Sequence, residues 1–152
     1  MIAEAAMAAV MMVAPLDSPP VMSRARQATV IANASRLPSG QEPFRDCVVA
    51  RESGGNPRAR NRTSTASGKY QYLDGQWRRG LSYQVRDRLV SYGMPKRQAQ
   101  QLRLWLMERP IYRWPEKYQD VGFAASLNHS GPWSGWQHWS LPGNRCQGLV
   151  PR

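Results

Sequence analysis

Only two cysteines, Cys47 and Cys146, occur in the 152 residues. That is too few for the framework of a disulfide-rich miniprotein, and no C-x-x-C pair is present to start a zinc site. One bridge is the maximum. Histidine is equally scarce: His129 and His138 stand nine positions apart, with no carboxylate at ligand spacing. No metal and no other cofactor is therefore expected. No apolar run approaches the roughly 20 residues that a membrane-spanning helix needs, so no stable membrane span is expected. Strand-type alternation is missing beyond what a short hairpin would use. No repeat shows at solenoid periods, and the only biased tract is an Ala/Met-rich start. Acidic residues are few as well: ten Asp plus Glu face 21 Lys plus Arg, leaving a net charge of +11. Such a surplus favours an anionic partner, whether nucleic acid, an acidic membrane surface or a bacterial wall polymer, and does not choose among them.

What is present suits one domain. An apolar content of 41% at this length supports a single core. Residues 5–14 are small or apolar, the size of the apolar segment of an export signal. Glu4 sits where a basic residue belongs, and the A-x-A-like Ala32-Asn33-Ala34 lies far downstream, beyond Arg24 and Arg26. Two readings of residues 1–40 follow: a signal or anchor, or a frayed helix and a flexible linker through Asp17-Ser18-Pro19-Pro20. Either way the domain proper spans 41–152.

The body reads as mainly helical. Ser39 and Glu42 have capping-box spacing, Pro43 lies in the first turn, and Phe44, Cys47 and Val48 recur at helical spacing before Gly54-Gly55. Residues 56–69 have no period and read as loop or irregular hairpin. Asp74 is placed to cap a short helix carrying Trp77, and Leu81, Val85, Leu89 and Tyr92 mark a separate helix before Gly93. Pro95 opens a run with Ala99, Leu102, Trp105 and Leu106. Pro115 opens another with Tyr118, Val121, Ala125 and Leu127, closed by Ser130-Gly131-Pro132.

Chemistry concentrates at Arg51-Glu52-Ser53-Gly54-Gly55-Asn56-Pro57. A carboxyl group in the last turn of a helix meets the negative end of the helix dipole. Packing behind Val48 and Val49 would desolvate it, and both effects keep the proton on at neutral pH, as a general acid requires. The plainer alternative is a surface pair of Glu52 with Arg51 or Arg58.

Three segments in order resemble the lysozyme-like lytic transglycosylases, particularly the resuscitation-promoting-factor type of wall-cleaving domains and their phage relatives. Glu52-Ser53-Gly54-Gly55-Asn56-Pro57 is similar to the family's catalytic Glu-Ser motif. Gly68-Lys69-Tyr70-Gln71-Tyr72, with Trp77 downstream, looks like its Gly-x-x-Gln-Phe segment. Ala124-Ala125-Ser126-Leu127-Asn128-His129-Ser130-Gly131-Pro132 is similar to the Ala-Tyr-Asn-x-Gly segment on the far wall of the cleft. The likeness spans residues 44–132. Leu127 stands where the family usually carries Tyr, and Arg51 where many members have the Cys that precedes the Glu.

The resemblance implies a small lysozyme-like α+β fold with a cleft, mainly α and at most a short β-hairpin. It implies Glu52 as the catalytic acid, with Ser53, Tyr70, Gln71, Asn128 and Trp133 as substrate contacts. It also favours a Cys47–Cys146 bridge over two independent thiols, since Cys47 lies one helical turn before Arg51. The substrate would be the glycan strands of peptidoglycan, with anionic wall polymers meeting Arg58 or Arg60 at the rim, and the site of action the cell wall, the extracellular space or a phage virion. One carboxyl group suffices if the muramoyl N-acetyl group assists and the product is a 1,6-anhydro sugar; hydrolysis would need a second. Tyr70, Gln71 and Asn128 are then expected to converge on Glu52. Aromatic faces at Trp133, Trp136 and Trp139 are available for sugar stacking or for plugging the core, while Trp77, Trp105 and Trp114 are expected in the core. The rivals are a catalytically weak wall-binding or virion structural protein of the same fold, and a nucleic-acid binder using Arg58, Arg60, Arg62, Arg78 and Arg79. No specific nucleic-acid motif accompanies those arginines.

Overall fold

The apolar spacing of residues 116–127 produces a helix buried on almost every side, and the rest of the fold is arranged around it. The computed structural model describes residues 22–130, 134–139 and 145–149. In chain order these form α1 (Arg24–Ala34), α2 (Glu42–Glu52), β1 (Ala66–Ser67), β2 (Tyr72–Leu73), α3 (Asp74–Ser91), α4 (Lys96–Met107), a 3-10 turn (Ile111–Arg113), α5 (Glu116–Leu127), a short α6 (Gly135–Trp139) and a final 3-10 turn (Gln147–Leu149). The architecture is mainly helical with one two-stranded antiparallel hairpin, in which Ala66 faces Leu73 and Ser67 faces Tyr72. Among the described residues no helix is long and apolar enough to cross a membrane.

Helix α5 packs against α1, α3 and α6, and α3 also carries α4. From Val121 to Leu127 every residue of this helix is buried, and that run carries no charged side chain because it has no solvent face to serve. Gly122 permits the α3 contact: a Cβ there would lie 3.2 Å from the Leu81 side chain. Phe44, Val48, Leu81, Val85, Leu89, Val121 and Phe123 close the core with no measurable exposure. Cys47 and Cys146 are joined as a disulfide, with Cα atoms 5.7 Å apart.

Several boundaries differ from the sequence expectation. Residues 24–34 are not linker: Val30, Ile31 and Ala34 of α1 are buried in the core, so the domain begins well before residue 41. Arg88 donates to the main-chain oxygens of Ala34 and Arg36, and Arg45 to that of Ser35, satisfying the carbonyl end of α1. The Ala32-Asn33-Ala34 tripeptide forms the last three residues of this helix. At α2 the cap is Gln41, without a side-chain bond, and Ser39 lies outside the helix. Asp74 caps nothing; it is the first residue of α3, and its Oδ1 accepts from the Ile111 N–H at 2.7 Å. The two helices expected around Trp77 and Leu81 are one, running through Gly80. Trp105 is 37% exposed rather than core, with the Arg109 guanidinium over its ring. Trp77 and Trp114 are buried as expected.

Candidate active site

Helix α2 delivers Glu52 to the point where the chain must reverse. The Ser53 N–H closes the last turn on Val49 O, and Gly54 and Gly55 follow in the left-handed region at φ +61° and +89°. The Ser53 hydroxyl donates to Lys69 O at 2.6 Å and accepts from the Gly55 N–H. This one side chain fastens the end of α2 to the turn between β1 and β2. Sixteen positions of sequence are thereby collapsed to a hydrogen bond, and Glu52 is set beside the hairpin.

The hairpin turn, residues 68–71, is held from the opposite side by Gln119. Gly68 adopts φ +83°, and a Cβ there would fall 2.6 Å from Gln119 Oε1. That oxygen accepts the Lys69 N–H at 2.7 Å, while the Gln119 amide nitrogen donates to Pro57 O and Trp114 O. A buried amide with every strong partner supplied fixes three segments together. Lys69 Nζ reaches Glu116 at 2.7 Å and Asp120 at 3.0 Å. Burial alone would lower the lysine's pKa, but the two carboxylates outweigh it and raise it. Asp120 is engaged by this lysine.

Tyr70 does not face a cleft. It has no exposure, stacks on Phe123 with ring centroids 4.2 Å apart, and donates its hydroxyl to Asp120 at 2.6 Å. Burial, followed by the charge of Asp120, raises its pKa. The expected sugar contact is a core residue. Gln71 is the one non-glycine residue with positive φ among those described, at +50°, a conformation costing about 1 kcal/mol or more. Its amide nitrogen donates back to Gly68 O, so the side chain stabilises the turn while the main chain faces α6.

There it meets His138, which the sequence did not mark as functional. The imidazole packs against Tyr72, Trp77 and Trp139, with centroids 4.9–5.8 Å away. Burial lowers its pKa; the Glu52 carboxylate and a hydrogen bond with the Gln71 main chain oppose this, and Arg51 reinforces it. The Glu52 charge and the Gln71 main chain thus both act on His138. The Glu52 side chain is 21% exposed and pairs with Arg51, whose Nε lies 3.0 Å from Oε1. Trp139 is buried at 1% exposure, its indole N–H on Tyr70 O, so it plugs the core instead of stacking on sugar.

Asn128 departs most from expectation. Its amide donates to Ala124 O at 2.9 Å in its own helix. The residue lines a depression with Asn33, Arg36, Arg88 and Tyr92, elements absent from the Glu52 neighbourhood. The amide is used where α5 ends, and the expected convergence of Tyr70, Gln71 and Asn128 side chains on Glu52 does not form. Trp133 and the Trp136 side chain lie outside the described residues. Among the described residues no group of three or more His, Cys, Asp or Glu side chains is placed to hold a metal ion.

No family model, curated protein or solved structure matches the chain.

Proposed function

We propose that the protein cleaves the β-1,4 bond between N-acetylmuramic acid and N-acetylglucosamine in bacterial peptidoglycan, with Glu52 as general acid and then base. The observation that carries this is the position of Glu52: a partly exposed carboxyl group at the end of α2, bolted by Ser53 to the hairpin turn and near enough to the His138 imidazole for its charge to be felt there. Glu52 donates its proton to the glycosidic oxygen as the C1–O bond breaks, and the muramoyl N-acetyl group stabilises the developing positive charge. The carboxylate then takes the proton of the sugar's 6-hydroxyl, whose oxygen closes a 1,6-anhydro ring at C1. A single carboxyl group fits the surroundings, because Asp74 is engaged by Ile111 N and Arg78, and Asp120 by Tyr70 and Lys69. With Tyr70 and the Gln71 side chain used inside the second segment and Asn128 in the third, the motif likeness is strongest in the first segment, Glu52-Ser53, and the proposal rests there.

One contact favours a second reading. Arg51 occupies the Glu52 carboxylate, as it would in a wall-binding or virion structural protein of this fold without activity. Zymography on peptidoglycan separates the two. Glu52→Gln is expected to keep the fold and lower lysis at least about a hundredfold, the scale of a lost general acid. Near-parental clearing by that variant ends the proposal, and binding without clearing by the parent selects the inert alternative. Mass spectrometry of released muropeptides reads the outcome directly, since anhydro and reducing ends differ by one water.

A further inference from the structure

Residues 56–69 carry three arginines, Arg58, Arg60 and Arg62, and the fold brings a fourth to them from a remote element. Residues 59–61 run antiparallel beside β1: the Gly68 N–H donates to Ala59 O at 2.8 Å, the Asn61 N–H to Ala66 O at 2.9 Å, and Arg60 bridges Ser67. This pairing gives the hairpin an outer edge with Arg60 in its middle. The Arg60 guanidinium lies 4.9 Å from the centroid of the Tyr112 ring, and that of Arg113 lies 5.7 Å from the same ring. All four arginines are exposed. None of them pairs with a carboxylate among the described residues.

Like charges gathered without counter-charges repel, and a bound anion removes that repulsion. A guanidinium laid on a ring keeps its edge N–H groups free, and those match phosphate oxygens in pairs. Beside the arginines is a depression of about 240 Å³, whose lining includes Arg60, Asn61, Ser64, Thr65 and Tyr112. The carboxylate in that lining, Asp74, is already engaged by the Ile111 N–H and by Arg78. Hydroxyl and amide groups supply the other polar lining, and these bind hydroxyls. A chain of phosphodiesters joined by hydroxyl-bearing links fits both features. Single-stranded nucleic acid also offers phosphates, but it binds through aromatic faces that take its bases. The ring here, Tyr112, is half-buried and holds two guanidinium groups instead. No α-helix carries these arginines, so they are not set out for the major groove of a duplex.

We infer that the edge formed by residues 58–62, together with Arg113, is a binding site for a polyol-phosphate chain such as poly(glycerol phosphate). Its phosphates meet Arg58, Arg60, Arg62 and Arg113, and its hydroxyls meet Ser64 and Thr65. The inference goes beyond the cleavage proposed above and holds whether or not Glu52 is catalytic.

The test is fluorescence anisotropy at about 50 mM salt, titrating the full chain into labelled poly(glycerol phosphate), oligothymidylate with the same number of phosphates, and poly-glutamate of the same charge. Poly(glycerol phosphate) is expected to bind most tightly of the three. Arg60→Gln with Arg113→Gln is expected to weaken it at least about tenfold and to make its salt dependence shallower, since fewer counterions are released. Arg24→Gln with Arg97→Gln removes the same charge from exposed positions on α1 and α4 and is expected to change the affinity less than about twofold. If the first double variant melts early, Arg58→Gln with Arg62→Gln replaces it with the same expected loss. Equal losses in the α1/α4 control would show that binding follows net charge alone and overturn the site. Tighter binding of oligothymidylate, equal binding of poly-glutamate, or no binding of poly(glycerol phosphate) overturns the occupant. None of these titrations reads lysis, so their failure leaves the role of Glu52 standing, and near-parental clearing by Glu52→Gln leaves the arginine site standing.

Discussion

The burial of His138 makes stability depend on pH. Burial lowers its pKa in the folded protein, whereas in the unfolded chain it takes up a proton near the ordinary histidine value of about 6.5. Below that pH the unfolded state binds more protons, so His138 costs stability as pH falls from about 6.5 through its lowered folded value, and costs nothing above. His138→Phe keeps a ring against Tyr72, Trp77 and Trp139 and removes the proton site. Its Tm is expected to fall less than the parent's between pH 7 and pH 5; two parallel curves would refute the assignment. The sequence made Glu52 and Ser53 legible because their motif is contiguous and precedes two glycines that end a helix. It hid His138, whose partners Glu52, Gln71, Tyr72 and Trp77 are all remote in sequence and meet it only through tertiary packing. It misdirected at Tyr70 and Asn128, since the same side chain can serve a ligand or the protein's own carbonyls and carboxylates.

Between elements, Gln119 and Gly68 form the joint on which the site's geometry depends. Gly68→Ala adds a methyl that must displace the Gln119 amide and places alanine at φ +83°. A loss of about 2–3 kcal/mol in urea denaturation is expected, together with reduced lysis, because the hairpin turn that holds Ser53 moves with it. A loss under about 0.5 kcal/mol would show that the joint yields freely. The helices α2, α4 and α5 were readable from apolar spacing and from prolines at their starts. The expected division of α3 into a short helix carrying Trp77 and a second marked by Leu81, Val85, Leu89 and Tyr92 does not occur, because the helix runs on through Gly80. Asp74 is instead consumed by the Ile111 N–H, a tertiary contact that overrides its capping propensity. Helix α1 escapes detection by apolar spacing because it buries only Val30, Ile31 and Ala34, all within its last five residues.

Across the whole molecule the Cys47–Cys146 bridge closes a loop with a sequence separation of 99. Constraining so long a loop in the unfolded chain is worth about 2–5 kcal/mol. Cys47→Ser with Cys146→Ser is expected to lower stability by that amount in oxidising buffer and to make it insensitive to reductant; a change below about 1 kcal/mol would show that the oxidised unfolded chain gains nothing from the constraint.

The same ring also divides the protein mechanically. Tension applied between the two ends passes from Cys47 to Cys146 through the sulfurs, so the hairpin, α3, α4 and α5 lie off the line of force. Helix α1 is outside the ring and is attached through Val30, Ile31, Ala34, the Arg88 and Arg45 contacts and a hydrogen bond between Gln27 and Tyr118. Under load it peels away first, while the hairpin and the chemistry-bearing turn beside it remain slack.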